Sequence, residues 1–133
     1  MVFLFLMILL HIVDDFVLQP VCLSKLKQKS FWDEYNKETG GLYKNDYKMA
    51  LFIHGLSWSI MIHLPLFFMY LDHNEIIFDI FFCITILIWA LFHSYVDNAK
   101  ANEKKISLVN DQIIHFIQII GLFIPYFLIY KVI

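Results

Sequence analysis

Histidine and aspartate recur four residues apart in three apolar stretches of this chain. The pairs are His11 with Asp15, His93 with Asp97, and Asp111 with His115. Residues i and i+4 of a helix lie about 40° apart and one turn apart along the axis, so both side chains of a pair can reach one point. Imidazole nitrogen and carboxylate oxygen together ligate zinc, manganese or iron. The spacing therefore predicts metal-ligating pairs.

The stretches that carry these pairs have the composition of membrane helices. The chain is 60% hydrophobic and 17% charged, with a mean hydropathy of +0.67, whereas soluble domains have roughly 45–50% apolar and about 25% charged residues. Each stretch is close to the ~20 residues that cross a bilayer. We therefore predict an all-α, polytopic membrane protein, a single domain over residues 1–133 that forms a bundle of four transmembrane helices. The predicted helices are about 2–19, 47–71, 75–97 and 106–130.

Charge and cysteine usage exclude other classes. The net charge is −2 and there is no arginine, so the basic surface that a nucleic-acid partner needs is missing. Cys22 and Cys83 are too far apart in the chain for a metal knuckle and too few for a disulfide framework. The N-terminal apolar run lacks a basic start and a small-residue cleavage site, so we interpret it as a helix of the mature protein.

The lysines predict the orientation in the membrane. Nine of the ten lysines flank the first and third connections, and only Lys131 lies on the other side. By the positive-inside rule, loops 20–46 and 98–105 lie in the cytoplasm and both termini lie outside the inner membrane. Loop 20–46 mixes lysines with large apolar residues, which fits either a helix at the headgroup level or a solvated loop. The oligomeric state stays open.

The ionisable residues share a depth in this arrangement. Counting ~1.5 Å per residue from the cytoplasmic boundary puts the aspartates roughly 0–8 Å and the histidines roughly 6–14 Å deep. Ionisable groups inside a membrane are costly and indicate function. The predicted metal ligands are His11, Asp15, His54, His93, Asp97, Asp111 and His115.

Other polar residues receive different predictions. His63 lies nine residues after His54, about 180° around the helix, so we expect it to face away from the site. Asp14 is expected to orient a ligand or to lie at a helix interface. Lys25 and Gln112 lie near the cytoplasmic mouth and are predicted to act on the substrate.

Seven ligands exceed the needs of one tetrahedral ion, so the sequence favours two divalent ions, with zinc, manganese and iron all open. Two ions about 3.5–4 Å apart catalyse hydrolysis of phosphoesters and amides by activating water. In one partition the first ion takes His11, Asp15 and His54, the second takes His93, Asp97 and His115, and Asp111 bridges. A lipid or lipid-linked phosphoester is the expected substrate. A metal-ion transporter and a structural metal that staples the helices remain alternatives.

The same residues fall into four motifs. They read H-x-x-x-D-F-x-L-Q from His11, H-G from His54, H-x-x-x-D from His93 and D-Q-x-x-H from Asp111. This set resembles a family of small integral membrane proteins of bacteria and phages whose function is unknown, and it is distantly similar to the inner-membrane metal-dependent hydrolases. The resemblance to the family of unknown function covers nearly the whole chain, and the distant similarity to the inner-membrane enzymes implies a metal-dependent hydrolase.

Overall fold

A computed structural model describes residues 1–70 and 76–130, and every regular element in those ranges is helical. The elements are α1 (Val2–Val13), a π-helical turn (Asp14–Leu18), α2 (Val21–Leu26), α3 (Lys29–Thr39), α4 (Asp46–Tyr70), α5 (Ile76–Ala101) and α6 (Leu108–Tyr130). Within the described residues, α4, α5 and α6 are long and apolar enough to cross a membrane. The all-α class is therefore confirmed, together with three candidate membrane spans.

The helix ends differ from the predicted ones in an informative way. The helix predicted to end at 97 continues to Ala101, which places Lys100 one turn after Asp97 on the same face. Loop 20–46 contains the short helices α2 and α3, so the plain-loop alternative is wrong. Gly40 ends α3 with a φ of 63°, a left-handed conformation that favours glycine. The predicted helix ends at 71 and 75 lie outside the described residues.

The first predicted helix, 2–19, consists of α1 and a wider turn. The Gln19 amide donates to the Asp14 carbonyl at 3.0 Å, five residues back, which is the π-helical spacing. Within this turn the neighbouring residues Asp14 and Asp15 both reach the interior, with side chains 2% and 9% exposed. Pro20 then adopts an extended conformation, because its ring cannot continue the helical hydrogen bonds.

Helix α4 lies at the centre of the bundle. Half of its apolar stretch is buried, against 22% for α5 and 28% for α6, and it contacts α1, α5 and α6 as well as α2 and α3. Gly55 allows the closest approach between α4 and α5, because a Cβ there would overlap Ser94 Oγ and the Ala90 carbonyl oxygen. Gly55, which follows His54, thus packs directly against Ser94, which follows His93.

The apolar core occupies the part of the bundle beyond the histidines, away from the start of α4. It is formed by Met7, Trp58, Ile62, Leu66, Ile119, Leu122, Phe123 and Tyr126. Following α4 and α6 along the chain, these residues come after His54 and His115, while on α1, which runs the opposite way, Met7 precedes His11. The polar cluster and the apolar core are therefore stacked along the bundle axis.

Candidate metal centre

The polar end of the bundle brings all seven predicted ligands into one cluster. The end of α1 and its π-helical turn, the end of α5 and the starts of α4 and α6 meet there. Six of the seven residues are at most 2% exposed, and the Asp15 side chain is 9% exposed. Burying so many ionisable groups together is costly unless their charges are compensated. The cluster therefore needs groups of opposite charge close to its ionised side chains.

The imidazole rings form a compact stack on the apolar core. The rings of Trp58 and His93 stack with centroids 4.2 Å apart, and those of His93 and His115 stack at 4.1 Å. The ring of His54 meets His93 edge-on at 5.0 Å. Trp58 is fully buried, so it closes the cluster on the side of the core.

Three aspartates share one arrangement, in which one carboxylate oxygen accepts a hydrogen bond and the other does not. Gln112 Nε2 donates to Asp15 Oδ2 at 3.1 Å, Lys27 Nζ donates to Asp97 Oδ2 at 2.5 Å, and Lys100 Nζ donates to Asp111 Oδ2 at 2.5 Å. The Oδ1 atoms of all three aspartates are buried and have no hydrogen-bond partner among the described residues. Each carboxylate is thus fixed by one oxygen while the other points into the cluster.

These Oδ1 atoms face imidazole nitrogens at distances that suit a metal ion. His54 Nε2 lies 3.3 Å from Asp15 Oδ1, and His115 Nε2 lies 3.4 Å from Asp111 Oδ1 and 3.5 Å from Asp97 Oδ1. These separations exceed the usual 2.7–3.2 Å of an N–H···O hydrogen bond. Two ligand atoms held about 2.0–2.1 Å from a tetrahedral ion lie roughly 3.3–3.4 Å apart. The spacing therefore matches the edge of a coordination tetrahedron.

Two triads in the cluster have the geometry to hold a metal ion. One is Asp15, His54 and His93, and the other is His93, Asp97 and His115; in each, the ligand atoms lie within 4.8 Å of one another. The second triad is the predicted one. In the first, His93 stands where the sequence predicted His11. Neither nitrogen of His93 has a hydrogen-bond partner within the described ranges, so both are open to a ligand.

His11 is excluded from the triads because its nitrogens are engaged. Trp58 Nε1 donates to His11 Nδ1 at 2.6 Å, so the proton of His11 is on Nε2, which lies 3.1 Å from Gln112 Oε1. The Gln112 amide then donates to Asp15 and to Asp111, the latter at 3.2 Å. His11 and Gln112 thus form a hydrogen-bonded support for two carboxylates, and the prediction of His11 as a ligand is not matched by this geometry.

Two further residues lie beside nitrogens of the cluster's imidazoles. Asp14 accepts a hydrogen bond from Ser57 Oγ at 2.8 Å and lies 3.8 Å from His54 Nδ1, so it faces the nitrogen that is turned away from the cluster. Gln118 Oε1 lies 2.8 Å from His115 Nδ1 and accepts its proton, which leaves Nε2 free as a ligand atom. Asp14 thus lies next to His54 at the contact between the π-helical turn and α4, consistent with the expected place at a helix interface. Gln118 was missed, although its i+3 spacing from His115 was a usable signal.

A pocket of about 330 Å³ leads to this cluster. Its lining includes Asp15, His54, Asp97 and Gln112, and also Lys27 and Lys100. Lys25, which the sequence predicted at the mouth, is exposed and is not part of the lining. The two residues are about 200° apart around a helix, and the packing of α2 turns Lys27 inward. Sequence reasoning therefore identified a lysine in the correct segment but on the wrong face.

His63 is buried rather than turned outward. Its Nδ1 donates to the Ser59 carbonyl at 2.7 Å, and its Nε2 lies 3.2 Å from Thr85 Oγ1. The prediction that it faces away from the metal site agrees with the triads, which do not include it; its burial was not predicted. Because α4 is central, both of its faces are covered by other helices.

Comparison of the chain with protein-family models, with curated proteins and with solved structures finds no match. The geometry of the cluster therefore carries the functional argument.

Proposed function

We propose that this protein is a membrane-embedded, metal-dependent hydrolase of the bacterial inner membrane that acts on a lipid or lipid-linked phosphoester. The observation that carries the proposal is the convergence of unpartnered carboxylate oxygens and imidazole nitrogens at a pocket lined by two lysines. A divalent ion held there would lower the pKa of a bound water and polarise a phosphoryl oxygen. The motif resemblance to metal-dependent hydrolases agrees with this proposal.

The charge of the site is compatible with divalent metal ions. The four aspartates contribute −4 and the two lysines +2, which leaves −2; one divalent ion would bring this to zero, and two would leave +2, which a phosphate monoester dianion would neutralise. The charged residues are Asp14, Asp15, Asp97, Asp111, Lys27 and Lys100. A buried site close to neutral avoids the cost of an uncompensated charge.

The proposed membrane arrangement gives a lipid access to the pocket. Helix α1 and the π-helical turn contain 12 and 5 residues, a rise of about 25 Å that makes a fourth span with α4, α5 and α6. By the positive-inside rule, the lysine distribution favours a pocket on the cytoplasmic side, near the headgroups. Phe16 and Leu108 line the pocket and are 59% and 56% exposed, so the acyl chain of a substrate has apolar contacts at the rim.

The geometry favours this function over the two alternatives. A transporter needs a polar path across the membrane, whereas Trp58 and the apolar core lie directly beyond the cluster. A purely structural metal has a closed ligand shell, whereas a pocket opens onto Asp15, His54 and Asp97. An open position next to the ligands is the arrangement of catalytic metal sites.

The test compares Asp97→Asn with His63→Gln, two substitutions of buried residues of which only the first touches the cluster. Each purified protein is loaded with Zn²⁺ or Mn²⁺ in detergent and desalted, then assayed for metal content by mass spectrometry and for phosphate release from short-chain phosphatidate. We expect up to two ions per chain in the wild type and in His63→Gln. Asp97→Asn is expected to lose bound metal, and its activity is expected to fall by at least about 100-fold. Equal metal content in all three proteins, or none in the wild type, would contradict the proposal.

A further inference from the structure

Lys27 pairs with the carboxylate of Asp97, which is also a candidate metal ligand. It directly follows α2, its side chain is 6% exposed, and its Nζ contacts Asp97 Oδ2 at 2.5 Å and Gln19 Oε1 at 3.0 Å. Burying a lysine requires a paired charge, and Asp97 supplies it. An ammonium group has three hydrogens to donate, so these two acceptors leave a third direction, and Lys27 also lines the pocket.

The backbone around Lys27 is held against the end of α5. Asn102 Nδ2 donates to the Lys27 carbonyl at 3.0 Å, and Asn102 Oδ1 accepts from the Lys29 amide at 2.7 Å. Trp32 Nε1 donates to the Leu26 carbonyl at 2.8 Å. The turn between α2 and α3 is thus clamped on both sides of Lys27. Because Asn102 follows the same helix as Asp97, the clamp keeps the lysine close to that carboxylate.

A metal ion and the Lys27 ammonium compete for the same negative charge. An ion bound through Asp97 Oδ1, which has no hydrogen-bond partner among the described residues and lies 3.7 Å from Lys100 Nζ, would neutralise the carboxylate and weaken its attraction for Lys27 across the 2.5 Å contact. A flexible lysine side chain can then turn to another acceptor while its backbone stays clamped. The acceptor that the pocket can offer is the anionic group of a substrate.

We infer that Lys27 is a displaceable counter-cation, which pairs with Asp97 and passes to the phosphate group of the substrate when a metal ion takes over that carboxylate. The inference rests on the proposed metal site and assigns a phosphate monoester dianion as the group recognised. Lys100, paired with Asp111 at 2.5 Å and lining the same pocket, supplies the second positive charge. Lys27 thus links metal binding to substrate binding.

The first experiment measures Mn²⁺ affinity by electron paramagnetic resonance of the free ion, in detergent-purified wild type, Lys27→Met and Lys25→Met. Lys25 is the matched control, because it lies two residues before Lys27, in α2, and is exposed. Removing the competing cation leaves the Asp97 charge for the ion alone, so Lys27→Met is expected to bind Mn²⁺ about tenfold more tightly. Lys25→Met is expected to equal the wild type. A merely structural role for Lys27 predicts weaker binding instead.

The second experiment measures phosphate binding to the Mn²⁺-loaded proteins through broadening of ³¹P resonances. The probes are inorganic phosphate and a phosphonate analogue of dihexanoyl phosphatidate that cannot be hydrolysed; each presents a phosphoryl group that can carry two negative charges. Lys27→Met is expected to lose affinity for the better probe by about tenfold, although its metal binds more tightly. Tighter binding of the phosphatidate analogue than of inorganic phosphate would identify a lipid headgroup as the source; the reverse order would identify free phosphate.

The outcomes separate the inference from the proposed function. Mn²⁺ affinity that is unchanged or weaker in a folded Lys27→Met protein overturns the counter-cation role and leaves the metal site in place. Absence of Mn²⁺ binding in all proteins overturns both. If circular dichroism shows that Lys27→Met does not fold, Asn102→Ala replaces it, because it loosens the clamp and keeps the lysine. We expect about a threefold gain in Mn²⁺ affinity from that variant, and no gain refutes the inference.

Discussion

The substitution Gly55→Ala tests whether the close approach of α4 and α5 positions the metal centre. The added Cβ would overlap two atoms of α5: Ser94 Oγ, which can rotate away, and the Ala90 carbonyl oxygen, which cannot move without the backbone. Overpacking a tight contact costs typically about 1–3 kcal/mol. Because one of the two overlaps is with backbone, we expect Gly55→Ala to lower the free energy of unfolding by an amount in the upper part of that range, about 2–3 kcal/mol.

The added Cβ should also push α4 and α5 apart and so weaken metal binding, since Gly55 follows His54 and Ser94 follows His93. Both histidines belong to one triad, so separating the two helices lengthens its ligand spacing. The assay is unfolding by titration with a denaturing detergent, followed by circular dichroism, together with Mn²⁺ affinity. Gly121→Ala is the control, because a Cβ there meets no atom of the described residues within 4 Å. Equal stability and equal affinity of the two variants would refute the reasoning.

Two further results are expected. Gln118→Leu removes the acceptor that holds His115 Nδ1 at 2.8 Å, and loss of such an orienting partner should weaken metal binding about 10–100-fold; unchanged metal affinity would mean that His115 is oriented by its packing alone. In a variant without the native cysteines, Glu38→Cys, at an exposed position in α3, should resist an impermeant thiol reagent added outside intact cells; labelling there would invert the proposed orientation.

The helices and their paired ligands follow from local patterns in the chain. Apolar stretches of membrane-spanning length are read directly from composition, and the four-residue spacing of His93 and Asp97 places both on one helical face whatever surrounds it. The depth of these residues follows from the rise per residue. For this reason the second triad, which His93, Asp97 and His115 form, could be predicted.

Partners from distant parts of the chain could not be assigned in this way. Periodicity states that Lys25 and Lys27 face opposite sides of α2, but only the packing of α2 against the bundle selects Lys27 for Asp97. In the sequence His11 is equivalent to the other histidines, and only the tertiary structure shows that Trp58 donates to its Nδ1. His63 is buried because α4 is surrounded. Helical spacing relates residues within one element, whereas the choice among nearly equivalent side chains depends on how separate helices rotate and pack, and that choice is made by contacts across the whole bundle.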